Sequence, residues 1–205
     1  MGISTSIQSF MWKSGKLEVS WGFGAMLLLA LLAGAGSVLP LVALSALCHE
    51  LGHLACLRLT GAPVESLRLT AFGAEICART RRLSYGQEIL CTLAGPLVNL
   101  GLALVFSRIT GDYLLAGANL ILGCFNLLPI PSLDGGRVLH LLVSWCTDPL
   151  LADRICARIG VGCSVLLTAL AFVLTVWQGA GLFLLLGAFG TLLPQIPRKT
   201  GSIVS

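Results

Sequence analysis

The sequence predicts an all-α polytopic membrane protein with about six transmembrane helices, a broken fourth helix and a small membrane-associated β-hairpin. Three observations predict it. Hydrophobic residues fill 56% of the 205 positions, charged residues only 11%, and mean hydropathy is +0.93. A soluble domain carries about 25% charged residues, so this chain lacks the polar side chains to coat a soluble core. The apolar residues fall in long runs, and the basic residues fall in alternate connections between those runs.

The elements follow in order. Residues 1–20 are mixed in character, with Lys13, Lys16 and Glu18, and the apolar stretch that begins near Trp21 is followed by no clear small-residue cleavage site. A secretory signal is a poor explanation, and the segment reads as a cytoplasmic or interfacial lead-in. A crossing helix needs about 20 mostly apolar residues. The candidate spans are Trp21–Ala35, Val38–Leu59, Gly86–Ser107, Tyr113–Leu128, Ala152–Val176 and Gln178–Leu193. The first and fourth are short. Arg137–Trp145 is too short to cross and either continues the fourth span after a break or lies re-entrant. Residues 21–195 are thus expected to form a transmembrane domain and residues 196–205 a cytoplasmic tail. Within Val64–Thr80 polar and apolar residues partly alternate around Phe72-Gly73-Ala74, which suggests two strands and a turn; an amphipathic surface loop is the alternative.

Loop charge tests the count. Cytoplasmic loops are enriched in Lys and Arg. With the amino terminus inside, Lys13 and Lys16, then Arg68, Arg79, Arg81 and Arg82, then Arg137, Arg154 and Arg158, and finally Arg198 and Lys199 all fall on the cytoplasmic side. The outer connections near Gly36 and Gly179 carry no basic residue, and the third-to-fourth connection carries only Arg108. Both termini are therefore expected in the cytoplasm. A net charge of +4 is modest and argues against a nucleic-acid partner. The eight cysteines never form Cys-x-x-Cys and lie mostly in apolar runs, so they read as packing residues rather than as a disulfide framework or a thiolate metal site.

The chemistry concentrates in His49-Glu50-Leu51-Gly52-His53, inside the second apolar run. Four-residue spacing puts both imidazoles on one helix face, one turn apart, where they can share a metal ion. Glu50 is then placed to act as general base toward a water, the HExxH logic of zinc proteases. Ionisable groups at bilayer depth cost about 2.5–3.5 kcal/mol each on insertion scales, so such a cluster needs compensation. Interhelical hydrogen bonds without a metal are the plainer alternative. A catalytic zinc commonly has three protein ligands. His140 is the remaining histidine, but Asp134 is the better candidate. It lies in Asn126–Gly136, where Pro129 and Pro131 oppose helix continuation and Gly135 and Gly136 permit a sharp turn. Broken backbone at membrane depth is tolerated where it lines a watery cavity.

Together these motifs resemble the site-two protease family of intramembrane metalloproteases, which carry HExxH on one helix and Asn-x-x-Pro-x-x-x-Leu-Asp-Gly on another. The second pattern is matched by Asn126, Pro129, Leu133, Asp134 and Gly135. The resemblance covers about Ala43 to His140 and is nearest to the compact bacterial group that includes sporulation-factor processing proteases. No PDZ or CBS domain is expected. It implies one Zn2+ per chain held by His49, His53 and Asp134, with Glu50 as general base and Asn126 beside the metal, orienting substrate or stabilising the oxyanion. It implies a multi-pass protein of the bacterial cell membrane that cleaves transmembrane or membrane-associated protein substrates. Any regulator would be a separate membrane protein. Gly95-Pro96 matches a family feature that shapes helix packing, and the 64–80 segment corresponds to a region where extended substrate pairs.

Other readings are a catalytically inactive membrane scaffold, an ion-transporting protein with the same fold, or a CAAX-type membrane protease. The first would be expected to lose Glu50 or a ligand, the second to scatter charges through several spans, and the third would not require Asn126–Gly135. Asn99 and Asn119 are expected to make interhelical hydrogen bonds. Asn119 and His140 are candidates for support of the site. Cys48 and Cys56 read as packing residues, and Glu88 as a favourable charge at a helix start.

Overall fold

The computed structural model describes residues 8–12, 15–19, 36, 38–70, 73–78 and 83–178. It divides into two compact units, one through Leu127 and one from Leu128. The expected first span, Trp21–Ala35, lies outside the described residues, as does the sixth but for Gln178.

The first unit contains strands β1 (Gln8–Trp12) and β2 (Gly15–Val19), helix α1 (Leu39–Leu59), strands β3 (Val64–Thr70) and β4 (Gly73–Ala78), and helices α2 (Tyr85–Val105) and α3 (Tyr113–Asn126). The strands form one sheet in the order β1-β2-β3-β4. β1 pairs antiparallel with β2, β2 parallel with β3 through Lys16↔Ser66 to Val19↔Leu69, and β3 antiparallel with β4. The register of β3 on β4 shifts between Val64 and Ser66. Strands β1 and β2 lie within residues 1–20, read from the sequence as a cytoplasmic or interfacial lead-in, and no strand was expected there. Gly-Lys-Leu-Glu-Val alternates only briefly, and its parallel partner is some fifty residues away, a pairing that local pattern does not announce.

Helix α1 begins with Pro40 in its first turn and ends at Thr60, followed by Gly61 at φ +74°. Helix α2 opens with a capping box, in which the Ser84 hydroxyl accepts from the Gln87 backbone N–H and the Gln87 side chain accepts from Ser84 N–H. A π-helical turn, Phe106–Thr110, ends it, and Gly111 at φ +70° reverses the chain toward α3, whose cap is Asp112. The second unit holds α4 (Asp134–Cys146) and α5 (Pro149–Gln178), which pack on each other.

Three described helices are long and apolar enough to cross a membrane: Leu39–Leu59, Tyr85–Thr110 and Pro149–Trp177. They coincide with the second, third and fifth expected spans. The fourth, α3, is a 14-residue apolar helix, shorter than a crossing requires. Burial runs opposite to that of a soluble protein. Ser45, His49, Gly52, Thr92, Gly95, Asn99, Asn119 and Gly123 are buried, whereas Leu44, Leu47, Leu51, Leu90, Leu97, Leu104 and Ile121 are exposed. Small and polar residues face the partner helices and large apolar ones face outward, as an integral membrane protein requires. Hydroxyls on these helices bond back to their own backbone: Ser45 to Leu41, Thr92 to Glu88, Thr168 to Ser164 and Thr175 to Ala171.

Candidate metal centre

His49 and His53 come from one face of α1, together with Ser45 and Gly52. That face lies against α2. Contact is close at Gly52, where a Cβ would stand 2.8 Å from the Ala94 carbonyl oxygen and 3.0 Å from Val98 Cγ2. His49 is buried and His53 half-buried. The two rings meet edge to face at 84°, centroids 4.8 Å apart, with their Nε2 atoms separated by 3.2 Å.

The tautomer of His53 is set by its other nitrogen. Nδ1 lies 2.8 Å from the backbone carbonyl oxygen of Cys91, which can only accept, so Nδ1 carries the proton and donates. In the neutral ring Nε2 therefore carries a lone pair, directed at His49. This is the arrangement in which metal-ligating histidines are held by an outer carbonyl. Two imidazole nitrogens at about 2.0–2.1 Å from a tetrahedral zinc stand about 3.3 Å apart. The observed 3.2 Å fits that spacing. Gly95 of α2 supplies the room: a Cβ there would run into His53 Nε2 and lie 2.7 Å from His53 Cε1 and 2.9 Å from His49 Cε1.

The remaining expected residues are distributed as follows. Glu50 is half-buried on α1, beside His49. Asn126 is the last residue of α3, and its side-chain N–H donates to the Leu122 carbonyl at 3.0 Å, which leaves its second amide hydrogen for another acceptor. Asp134 is in the second unit, the first residue of α4 and half-buried. The break before it is built from Ile130 N–H to Leu128 O and Leu133 N–H to Ile130 O, both 2.8 Å. Gly135 and Gly136 were expected to make a sharp turn, but both lie in the first turn of α4, and among the described residues only Gly61 and Gly111 have positive φ. Gly136 is needed instead for contact, since a Cβ there would collide with the Ile130 carbonyl.

Three expectations change. His140 Nε2 is engaged by Asp153 Oδ1 at 2.8 Å, linking α4 to α5 on a largely exposed face. Asn119 donates to Leu115 of its own helix at 2.9 Å rather than across helices. Asn99 is fully buried, yet its amide has no hydrogen-bond partner among the described residues. One contributor was missed, the Cys91 carbonyl, which no side-chain pattern reveals; Gly95, named with Pro96 only for helix packing, also leaves the space that the two rings occupy.

Residues 110–168 match Peptidase family M50. That stretch contains Asn126 and Asp134 but not the histidine pair. A zinc metalloprotease of Methanocaldococcus jannaschii is 32% identical over 131 residues, covering 58% of this chain and 38% of that protein. Rip3 of Mycobacterium tuberculosis, which carries a provisional zinc metalloprotease name, is 35% identical over 123 residues, covering 53% and 31%. The chain therefore spans well under half the length of these relatives. The solved site-2 protease of M. jannaschii superposes with a TM-score of 0.67 at 23% identity, over 98% of this chain and 100% of that one. The resemblance read from the paired motifs is thus met twice, in sequence by Peptidase family M50 over residues 110–168 and in fold by a site-2 protease over nearly the whole chain.

Proposed function

We propose that this protein is an intramembrane zinc metalloprotease that hydrolyses peptide bonds of transmembrane or membrane-associated proteins. The observation that carries the reading is the His49–His53 pair, its Nε2 atoms 3.2 Å apart and the His53 tautomer fixed by the Cys91 carbonyl. His49, His53 and Asp134 are a donor set suited to one metal ion, and zinc is the ion that two imidazoles and a carboxylate favour in hydrolases. When bound, zinc supplies a Lewis acid that polarises a carbonyl and acidifies water. Glu50, next to His49 on α1, accepts the proton of the attacking water and delivers it to the leaving amine. Asn126 uses its second amide hydrogen to orient the scissile carbonyl and share the developing oxyanion charge.

The protein sits in the bacterial cell membrane with about six crossings and both termini in the cytoplasm, a topology supported by the loop basic residues. A helical substrate must unwind, because its carbonyls are occupied by internal hydrogen bonds. Strands β3 and β4 form a membrane-associated hairpin, and the strand order leaves β1 and β4 at the sheet edges, where an extended segment can pair.

The test is zinc analysis paired with cleavage of a model transmembrane substrate. Purified protein is expected to hold about one zinc per chain. Glu50→Gln keeps the zinc and loses cleavage, whereas Asp134→Ala loses both. Undiminished cleavage by Glu50→Gln would sink the mechanism, and zinc retained by Asp134→Ala would remove Asp134 from the ligand set.

A further inference from the structure

The sulfurs of Cys56 and Cys91 meet across the contact between α1 and α2. Cys56 lies in the last turn of α1 and Cys91 in the second turn of α2. Their Sγ atoms are 3.1 Å apart, the Cys91 thiol donating to Cys56, and both cysteines are free. The Thr60 hydroxyl oxygen is 3.5 Å from the Cys91 sulfur, and Leu57, Ala62, Val64 and Leu83 surround the pair. An S–S bond is about 2.0 Å long, so roughly 1 Å of closure converts this contact into a bond. Packing as small hydrophobes accounts for the burial of two cysteines but not for their sulfurs facing each other.

Cys91 is also the residue whose carbonyl holds His53 Nδ1 at 2.8 Å. Any movement of Cys91 is therefore passed through one hydrogen bond to the imidazole pair. We propose that Cys56 and Cys91 form a peroxide-oxidisable dithiol, and that its disulfide displaces the Cys91 carbonyl from His53 and weakens the metal site. The second half rests on His49 and His53 being zinc donors; the first half does not. Hydrogen peroxide converts one thiol to a sulfenic acid and releases one water. The second sulfur attacks that sulfenic sulfur, forming the S–S bond and releasing a second water. Two thiols lose two hydrogens and two electrons, and one peroxide becomes two waters. Peroxide is small and uncharged, so it can reach sulfurs between apolar helices. A dithiol reductant reverses the step by exchange.

The full chain, purified in detergent with zinc, is treated with hydrogen peroxide and examined by peptide mass mapping and by chelator competition for zinc. The expected result is a Cys56–Cys91 crosslink and zinc binding about ten-fold weaker, as loss of an outer hydrogen-bond partner produces. Dithiothreitol restores both. Cys56→Ser, which leaves the Cys91 carbonyl in place, binds zinc as tightly as the reduced wild type and keeps that affinity after peroxide. No crosslink in the wild type overturns the proposal. So does a crosslink that leaves zinc affinity unchanged, or an equal peroxide-driven loss in Cys56→Ser. A reduced wild-type chain that binds no zinc refutes the zinc reading and with it the coupling, while the mapped crosslink still decides the dithiol.

Discussion

Gly95→Ala is the smallest change that should weaken the proposed metal site. The added methyl would overlap His53 Nε2 and stand 2.7 Å from His53 Cε1 and 2.9 Å from His49 Cε1. Ordinary carbon contacts begin near 3.4 Å, so the His49 ring must retreat by roughly 0.5 Å and the His53 ring by more than about 0.7 Å. Metal–ligand distances tolerate only about ±0.2 Å. Neither ring can simply swing away, because His53 is tied to the Cys91 carbonyl and His49 is buried. Zinc affinity should fall about 100-fold, or about 2.7 kcal/mol. The helix itself should not suffer, since Ala exceeds Gly by up to about 1 kcal/mol in a helix interior. Chelator competition on detergent-solubilised protein measures the affinity, with thermal unfolding as the stability check. Gly101→Ala on the same helix is the control, because a Cβ there meets nothing within 4 Å. Gly95→Ala protein with wild-type zinc affinity would refute the claim that the glycine exists to seat the imidazoles.

Two further outcomes follow from the second unit. Gly136→Ala drives a methyl into the Ile130 carbonyl and to 2.7 Å from Pro131 N, backbone atoms that cannot rotate aside. A loss of about 1–3 kcal/mol is expected, read as a lower unfolding temperature, together with reduced zinc content because the distorted turn carries the proposed ligand Asp134. His140→Ala removes a hydrogen bond whose side chains are 40% and 66% exposed. Such a pair is worth at most about 1 kcal/mol, so stability should barely change and zinc content should stay the same by metal analysis. Loss of zinc in His140→Ala would return His140 to the list of ligands.

The placement of the candidate site residues on their helices was legible because it obeys short-range rules. His49 and His53 share a helix face by four-residue spacing, and Pro129 and Pro131 mark a helix break before Asp134 by their own backbone limits. The long spans were legible from apolar length alone, and α1, α2 and α5 fall where the runs predicted. What was hidden depends on distant backbone. The parallel pairing of β2 with β3 joins segments separated by a whole helix. The sulfur contact of Cys56 with Cys91 joins positions 35 residues apart, so a search for nearby cysteine pairs had to miss it. The hydrogen bond that sets the His53 tautomer uses a carbonyl, which every residue has, and no composition rule singles out Cys91.

Packing and chemistry in the first unit have one origin. Lipid gives no hydrophobic drive for helix association, so α1 and α2 must be held by close backbone approach and by polar contacts. Gly52 against the Ala94 carbonyl provides the first, and His53 on the Cys91 carbonyl provides the second. Gly95, one turn beyond Cys91, then leaves space for two rings where any other residue would fill it. A larger residue at 52 would part the helices and lengthen the His53 bond, while a larger residue at 95 would keep the helices together and push the rings aside. The two glycines therefore act on the same pair of histidines by different routes. The coordination proposed for the pair depends on a helix spacing that leucine-rich outward faces do nothing to set.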